Sequence, residues 1–205
     1  MPDTVVVDYG SGNIRSMLNA LKVVSPAGSV EVSSDPAVVA SAKRLVLPGV
    51  GAFGECRRKL DAAGLASVVV DAVKGGRPLL GVCVGMQVLA DEGTEFGRHE
   101  GLGVLPGIVV RLEAPQQKLP HVGWTPVDHR GGPLFEGLAS GTHFYFVHSF
   151  GLRCSDEANV AATATYGSPF TAAAQKGNVA GCQFHPEKSD RAGLKLLENF
   201  CRWNP

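Results

Sequence analysis

The sequence predicts an α/β protein: a central, mostly parallel sheet flanked by helices, with antiparallel strands added in its second half. Three observations carry this. In residues 4–91 short β-branched or apolar runs alternate with helical periodicity, and each run closes in a turn rich in Gly or Pro. In residues 101–181 the helical periodicity gives way to short alternating segments between Pro and Gly turns. The run Pro78-Leu79-Leu80-Gly81-Val82 shows no polar alternation, as expected of a strand covered on both faces.

Thr4-Val5-Val6-Val7 is the first strand, and Tyr9-Gly10-Ser11-Gly12-Asn13 turns the chain into a helix whose apolar face is Met17, Leu18, Leu21 and Val24. Residues 30–32 form a second strand. Asp35 then caps a helix over 37–42, with Pro36 at its first position. Residues 44–47 form a third strand ending at Pro48-Gly49-Val50-Gly51, and residues 53–73 hold two helices broken near Gly64. The fourth strand is 78–82, with helix over 86–91 behind it. Further on, 143–148 and 159–164 alternate as strands. Ser189 caps a final helix that places Leu196, Leu197, Phe200 and Cys201 on one stripe. With no repeat and no linker, residues 1–205 read as a single domain.

Composition narrows the function. Lys plus Arg number 19 and Asp plus Glu 19, and neither a basic excess nor a basic cluster marks a nucleic-acid binder. The chain is 44% hydrophobic and 19% charged, which suits a compact fold burying roughly 70% of its unfolded surface. No apolar stretch approaches the ~18 residues of a membrane span, and the first residues lack the basic region of a secretory signal, so the cytoplasm is expected. Five cysteines without a Cys-x-x-Cys pair argue against both a disulfide framework and a zinc cluster. No metal or cofactor is expected.

Gly81-Val82-Cys83-Val84-Gly85 lies where the apolar strand turns into a helix and is the cysteine form of a nucleophile elbow. Its glycines allow close backbone approach in a strained turn that exposes the side chain at the apex, and a helix N-terminus beside it favours an anionic sulfur. Gln183-Phe184-His185-Pro186-Glu187 supplies a base with its orienting carboxylate, since residues i and i+2 of an extended chain share a face. The run 179–184 before it is strand-like and predicts a neighbour for the elbow strand. Donors for an oxyanion are expected from the backbone N–H groups of Gly49, Val50 and Gly51 and of Val84.

Pro48-Gly49-Val50-Gly51, Gly81-Val82-Cys83-Val84-Gly85-Met86-Gln87 and His185-Pro186-Glu187, in this order, resemble the class I (triad) glutamine amidotransferases. The segments Asp8 to Asn13, Lys118 to Trp124, Tyr145 to Phe150 and Gln183 to Ser189 narrow the likeness to the glutaminase subunits of imidazole glycerol phosphate synthases. The resemblance implies a flavodoxin-like sheet and a triad of Cys83, His185 and Glu187 that releases ammonia from L-glutamine. It implies that Gln87, Ser149 and the backbone at Gly51 hold that substrate. It also implies a heterodimer with a (β/α)₈ cyclase subunit, which consumes the ammonia in making imidazole glycerol phosphate and AICAR for histidine biosynthesis, with Asn13, Pro120, His121 and Trp124 on the partner-facing surface. Two rivals stand beside it: a free-standing cysteine hydrolase of the γ-glutamyl type, which would use the same elbow, and a non-catalytic α/β module, which would not need an intact triad.

Overall fold

The computed structural model describes residues 2–25 and 29–205. In chain order the elements are β1 (Thr4–Val7), α1 (Ile14–Val24), β2 (Val30–Ser33), α2 (Pro36–Ser41), β3 (Arg44–Gly49), α3 (Phe53–Ala62), α4 (Leu65–Lys74), β4 (Leu79–Cys83) and α5 (Val84–Gln87). There follow β5 (Glu92–Gly93), β6 (His99–Glu100), β7 (Gly107–Arg111), β8 (His121–His129), β9 (Thr142–His148), β10 (Phe150–Cys154), β11 (Val160–Tyr166), β12 (Ser168–Lys176), β13 (Val179–Cys182) and α6 (Asp190–Arg202).

The main sheet has nine strands in the order β2-β1-β3-β4-β13-β12-β11-β8-β9. From β2 to β13 every pairing is parallel, and from β13 to β9 every pairing is antiparallel. The expected change of character between the halves therefore falls at β13, which is the last parallel strand of one half and the first antiparallel strand of the other. A second sheet of four strands, β10-β7-β5-β6, was not foreseen as a separate layer.

Local chemistry explains the boundaries. The Asp35 carboxylate accepts the Ala37 N–H at 2.8 Å, and Pro36 opens α2. Gly64 adopts φ +68°, a left-handed residue separating α3 from α4. The strands β1, β3 and β4 are buried along nearly their whole length, with Val5, Val6, Val7, Leu45, Val46, Leu47, Leu79 and Leu80 inaccessible to solvent. On α6, Leu196, Leu197 and Phe200 are buried on one stripe while Cys201 is half-buried. Among the described residues no helix is long and apolar enough to cross a membrane.

Two local expectations are corrected. Helix over 86–91 is not formed: α5 ends at Gln87, and the Leu89 and Ala90 N–H groups bond three residues back. The Asp91 N–H, which a longer helix would direct to the Gln87 carbonyl, bonds the Gly107 carbonyl at 3.0 Å instead, and the carbonyls of Val88, Leu89 and Ala90 accept from the N–H groups of Leu102, Leu105 and Gly103. Ser189 precedes α6 but does not cap it. Its hydroxyl donates to the His185 carbonyl at 2.7 Å and accepts from the Tyr145 N–H at 3.0 Å, tying the segment after β13 to β9.

Candidate active site

Cys83 ends β4 with φ 55° and ψ −117°, a conformation that costs a non-glycine residue about 1–3 kcal/mol and survives only where the surroundings fix it. The surroundings do so through glycines. A Cβ at Gly85 would overlap the Leu47 carbonyl oxygen, one at Gly81 would lie 2.7 Å from the Met86 Cα, and one at Gly49 would lie 2.8 Å from the Tyr9 hydroxyl. Tyr9 in turn donates to the Pro48 carbonyl at 2.8 Å, holding the end of β3 against the elbow. The apex is not exposed as expected: Cys83 is 3% accessible and opens only into a cavity of about 290 Å³. Since α5 is a single turn, the dipole beside the sulfur is that of one turn rather than of a full helix.

β13 lies parallel to β4 with Gly181 opposite Gly81 and Cys182 opposite Val82, so the residues that follow β13 emerge at the same sheet edge as Cys83. The His185 Nδ1 and the Glu187 Oε1 are 2.9 Å apart. The expected contact is present, but the backbone is not extended there. Pro186–Lys188 is a 3₁₀ turn, which brings the carboxylate back beneath the ring. Glu187 Oε1 also accepts from Asn13 Nδ2 at 3.3 Å, and its Oε2 is buried with no partner. Burial alone would pull the His185 imidazole down, but hydrogen bonds and charge attraction from Cys83 and Glu187 outweigh it and push its pKa up to about 9. With Nδ1 taken by Glu187, the other ring nitrogen is the one left to serve Cys83.

The cavity is lined by Val50, Gly51, Cys83, Val84, Gln87 and Ser149 together with Pro120, His148 and His185, so most of the residues singled out in the sequence share one space. Two charged lining residues were not singled out: Glu95, which no motif marks, and Lys188, which lies within the Gln183–Ser189 segment. A somewhat larger hollow of about 340 Å³, beside Leu152 and Phe170, is lined by no cysteine or histidine.

The oxyanion segment departs from expectation. The Val50 N–H donates to the Ser11 hydroxyl at 3.3 Å, while the Val50 carbonyl accepts from that hydroxyl at 2.7 Å and from the Cys56 thiol at 3.2 Å. Val50 therefore offers the cavity no N–H in this conformation. A trans peptide points its N–H and C=O in opposite directions, so the Val50 carbonyl turned to Ser11 leaves the Gly51 N–H facing the other way. Gly51, at φ +99°, has no atom within 4 Å of a hypothetical Cβ and is free of the packing that fixes Gly49.

The expected partner surface divides in two. Trp124 is 48% exposed, Val122 beside it is exposed, and Pro120 is exposed at the cavity rim. His121 is 2% accessible, stacked on Tyr166 and bonded to Thr125 and His148, so its side chain cannot belong to a docking surface. Alternation along β8 explains this, since His121 and Trp124 stand on opposite faces of the strand. Asn13 is half-buried and reaches inward to Glu187.

The family model for class-I glutamine amidotransferases matches residues 5–203. The chain belongs to the class-I glutamine amidotransferases. Within that family it is 48% identical to the imidazole glycerol phosphate synthase subunit HisH of Syntrophotalea carbinolica, over 96% of this chain and 98% of that one. It is 47% identical to the subunit of the same name from Caulobacter vibrioides over the whole of both chains. Among solved structures, a glutamine amidotransferase superimposes with a TM-score of 0.74 at 24% identity, covering 96% of this chain and 98% of that one. The Thermotoga maritima PurLQS structure gives 0.74 at 21% identity, covering 98% of each chain. As a class-I amidotransferase the chain has the mixed α/β sheet with flanking helices that the alternation in its first half predicted.

Proposed function

We propose that this chain is the glutaminase subunit of an imidazole glycerol phosphate synthase, working as one domain in the cytoplasm and docked on a cyclase subunit. The observation that carries this reading is the 47–48% identity to HisH subunits over nearly the whole chain, and its chemistry rests on the register of β4 and β13, which brings Cys83 to the same sheet edge as a histidine whose Nδ1 is 2.9 Å from a carboxylate oxygen. The five unpaired cysteines suit a reducing compartment.

Cys83 Sγ attacks the carboxamide carbon of L-glutamine beside a protonated His185. The charge on the resulting oxyanion is met by the Val84 N–H and by donors of the 49–51 segment. The imidazolium gives its proton to the departing nitrogen, releasing ammonia and leaving a thioester. His185 then takes a proton from the water that cleaves the thioester, and glutamate departs. Glu187 holds the ring in place and balances its charge through both steps. Both amide hydrogens of Gln87 are spent, at 2.8 Å on the Phe150 carbonyl and at 2.9 Å on Gln183 Oε1, so Gln87 meets the substrate with its own oxygen, as an acceptor. Glu95 offers a carboxylate to the α-ammonium of glutamine, and the Ser149 and Gly51 groups face the remaining polar ends.

The cyclase docks over Trp124 and Val122, exposed apolar groups of one face of β8, and over Pro120 just before it, which lines the cavity. The test is glutamine hydrolysis by the chain alone, by its complex with the cyclase, and by the complex holding the cyclase's nucleotide ligand. Rates are expected to rise along that series, and Trp124→Ala is expected to weaken docking while the chain itself stays folded. Equal rates in all three states would favour the free-standing hydrolase.

A further inference from the structure

Gln183 is inaccessible to solvent, so both ends of its amide must find partners inside the protein. Its backbone is fixed by the bond from its N–H to the Ala172 carbonyl at 2.8 Å. Its side-chain Oε1 accepts from Gln87 Nε2 at 2.9 Å, and its Nε2 lies 3.6 Å from Cys83 Sγ, within reach of a hydrogen bond to sulfur.

The direction of this chain of bonds is set at its far end. The Phe150 carbonyl can only accept, and it is approached by Gln87 Nε2 at 2.8 Å and by His148 Nδ1 at 2.9 Å, which fills both of its lone pairs. The amide nitrogen of Gln87 must therefore face Phe150, and its second hydrogen must go to Gln183. An acceptor is needed there, so Gln183 presents oxygen to Gln87 and its NH₂ to the sulfur. The histidines follow the same logic. His148 is held neutral by burial, with a pKa of about 3, and donates from Nδ1, so its Nε2 accepts from His121 Nδ1 at 3.1 Å. His121 Nε2 then accepts from the Thr125 hydroxyl at 2.8 Å. No member of the series can be reversed without setting two donors or two acceptors against each other.

We propose that Gln183 is a further working residue of this site: its amide N–H stabilises the anionic form of the Cys83 sulfur, and its carbonyl turns the Gln87 oxygen toward the substrate. The inference rests on the glutaminase reading of the Cys83 site. A charged sulfur accepts more strongly than a neutral thiol, so the bond favours the attacking form. The strained turn at Cys83 and the paired strands β4 and β13 hold donor and sulfur at this distance.

The test is alkylation of Cys83 by iodoacetamide in the full-length chain, followed by mass spectrometry across pH 5–10, for wild type, Gln183→Met and Gln87→Met, with folding checked by circular dichroism. Gln183→Met removes the donor and is expected to slow alkylation at neutral pH about tenfold or more, moving the half-maximal pH upward by about one unit. Gln87→Met touches no part of the sulfur, yet it frees Gln183 to turn and is expected to move the midpoint in the same direction by less. A purely packing role for Gln183 would lower the melting temperature and leave the midpoint in place. An unchanged midpoint in either folded variant overturns the proposal, and should Gln183→Met not fold, Gln87→Met decides it. Protection of Cys83 by glutamine is scored in parallel samples of the wild type. Its absence would count against the glutaminase reading alone, because the midpoint shift is read without substrate.

Discussion

In the isolated chain the Ser11 hydroxyl holds both peptides around Val50, and removing that hydroxyl should make the chain a better glutaminase. Ser11 Oγ grips both peptides that flank Val50: it accepts the Val50 N–H at 3.3 Å and donates to the Val50 carbonyl at 2.7 Å. Turning the Val50 N–H toward the developing oxyanion breaks the first bond, and rotation of the next peptide breaks the second. Each is worth about 0.5–1.5 kcal/mol net. Ser11→Ala should therefore shift the balance toward the aimed conformer by about 1 kcal/mol if one bond opposes it, and by about 2 kcal/mol if both do. That corresponds to roughly fivefold to thirtyfold more of the aimed form, against the 10²–10³ that one aimed donor is worth in rate. The Cys56 thiol, 3.2 Å from the same carbonyl, remains in the variant and keeps the shift from being complete. The assay is steady-state glutamate production by the chain alone and in the cyclase complex. The expected result is a several-fold rise in kcat of the chain alone with little change in the complex, since the proposed docking would itself favour the aimed form. An unchanged or lower kcat for the chain alone, in a variant that folds and binds normally, would refute the gating argument.

A glutamine-analogue alkylator should label Cys83 and spare Cys56, Cys154, Cys182 and Cys201, because burial pushes the thiols of all four upward; peptide mapping of the labelled chain checks it. Glu187→Gln should keep more glutaminase activity than any replacement of His185, and the alkaline fall-off of its pH–rate profile should move below that of wild type, since one of the two groups that raise His185 to about 9 is weakened. His185 is raised above its ordinary 6.5, so the stability it contributes is complete below about pH 6.5 and is lost as pH climbs to about 9; urea midpoints of wild type and His185→Asn should converge across that window. Gly85→Ala places a methyl on the Leu47 carbonyl oxygen and should cost at least the 1–3 kcal/mol of an overpacked core, read as a lowered melting temperature or loss of folded protein.

Much of this site was legible because its parts are local. The elbow motif Gly81 to Gly85 and the base motif His185 to Glu187 are each short runs of sequence, although the contacts that require Gly49 and Gly85 reach distant strands, and the Asp35 cap and the Gly64 break are each decided within a few residues. What was missed depends on distant chain. The truncation of α5 follows from residues 102–107, which bond the backbone just beyond it, and the loss of the Val50 donor follows from Ser11, thirty-nine positions away. His121 was placed on the surface from its motif, although two-residue periodicity along β8 separates it from Trp124. Glu95 carries no sequence pattern that marks a cavity, and only the folded chain brings it there, whereas Lys188 directly follows the His185-Pro186-Glu187 motif.

The junction at β13 also bears on which parts of the site can respond to a partner. The spacing of Cys83 and His185 is written in the hydrogen bonds of the central strands, the region of a protein that opens only on global unfolding. A docking subunit has no low-energy way to pull the pair apart or push it together. Val50 and Gly51, by contrast, lie beyond the end of β3, and Val50 is secured by side-chain contacts from Ser11 and Cys56, each small enough to be exchanged for others. Amide hydrogen exchange should accordingly find two timescales within one cavity: slow at Val82 and Cys182, fast at Gly51. Control of such an enzyme would then be exercised through the charge it can accommodate, while its nucleophile stays permanently set.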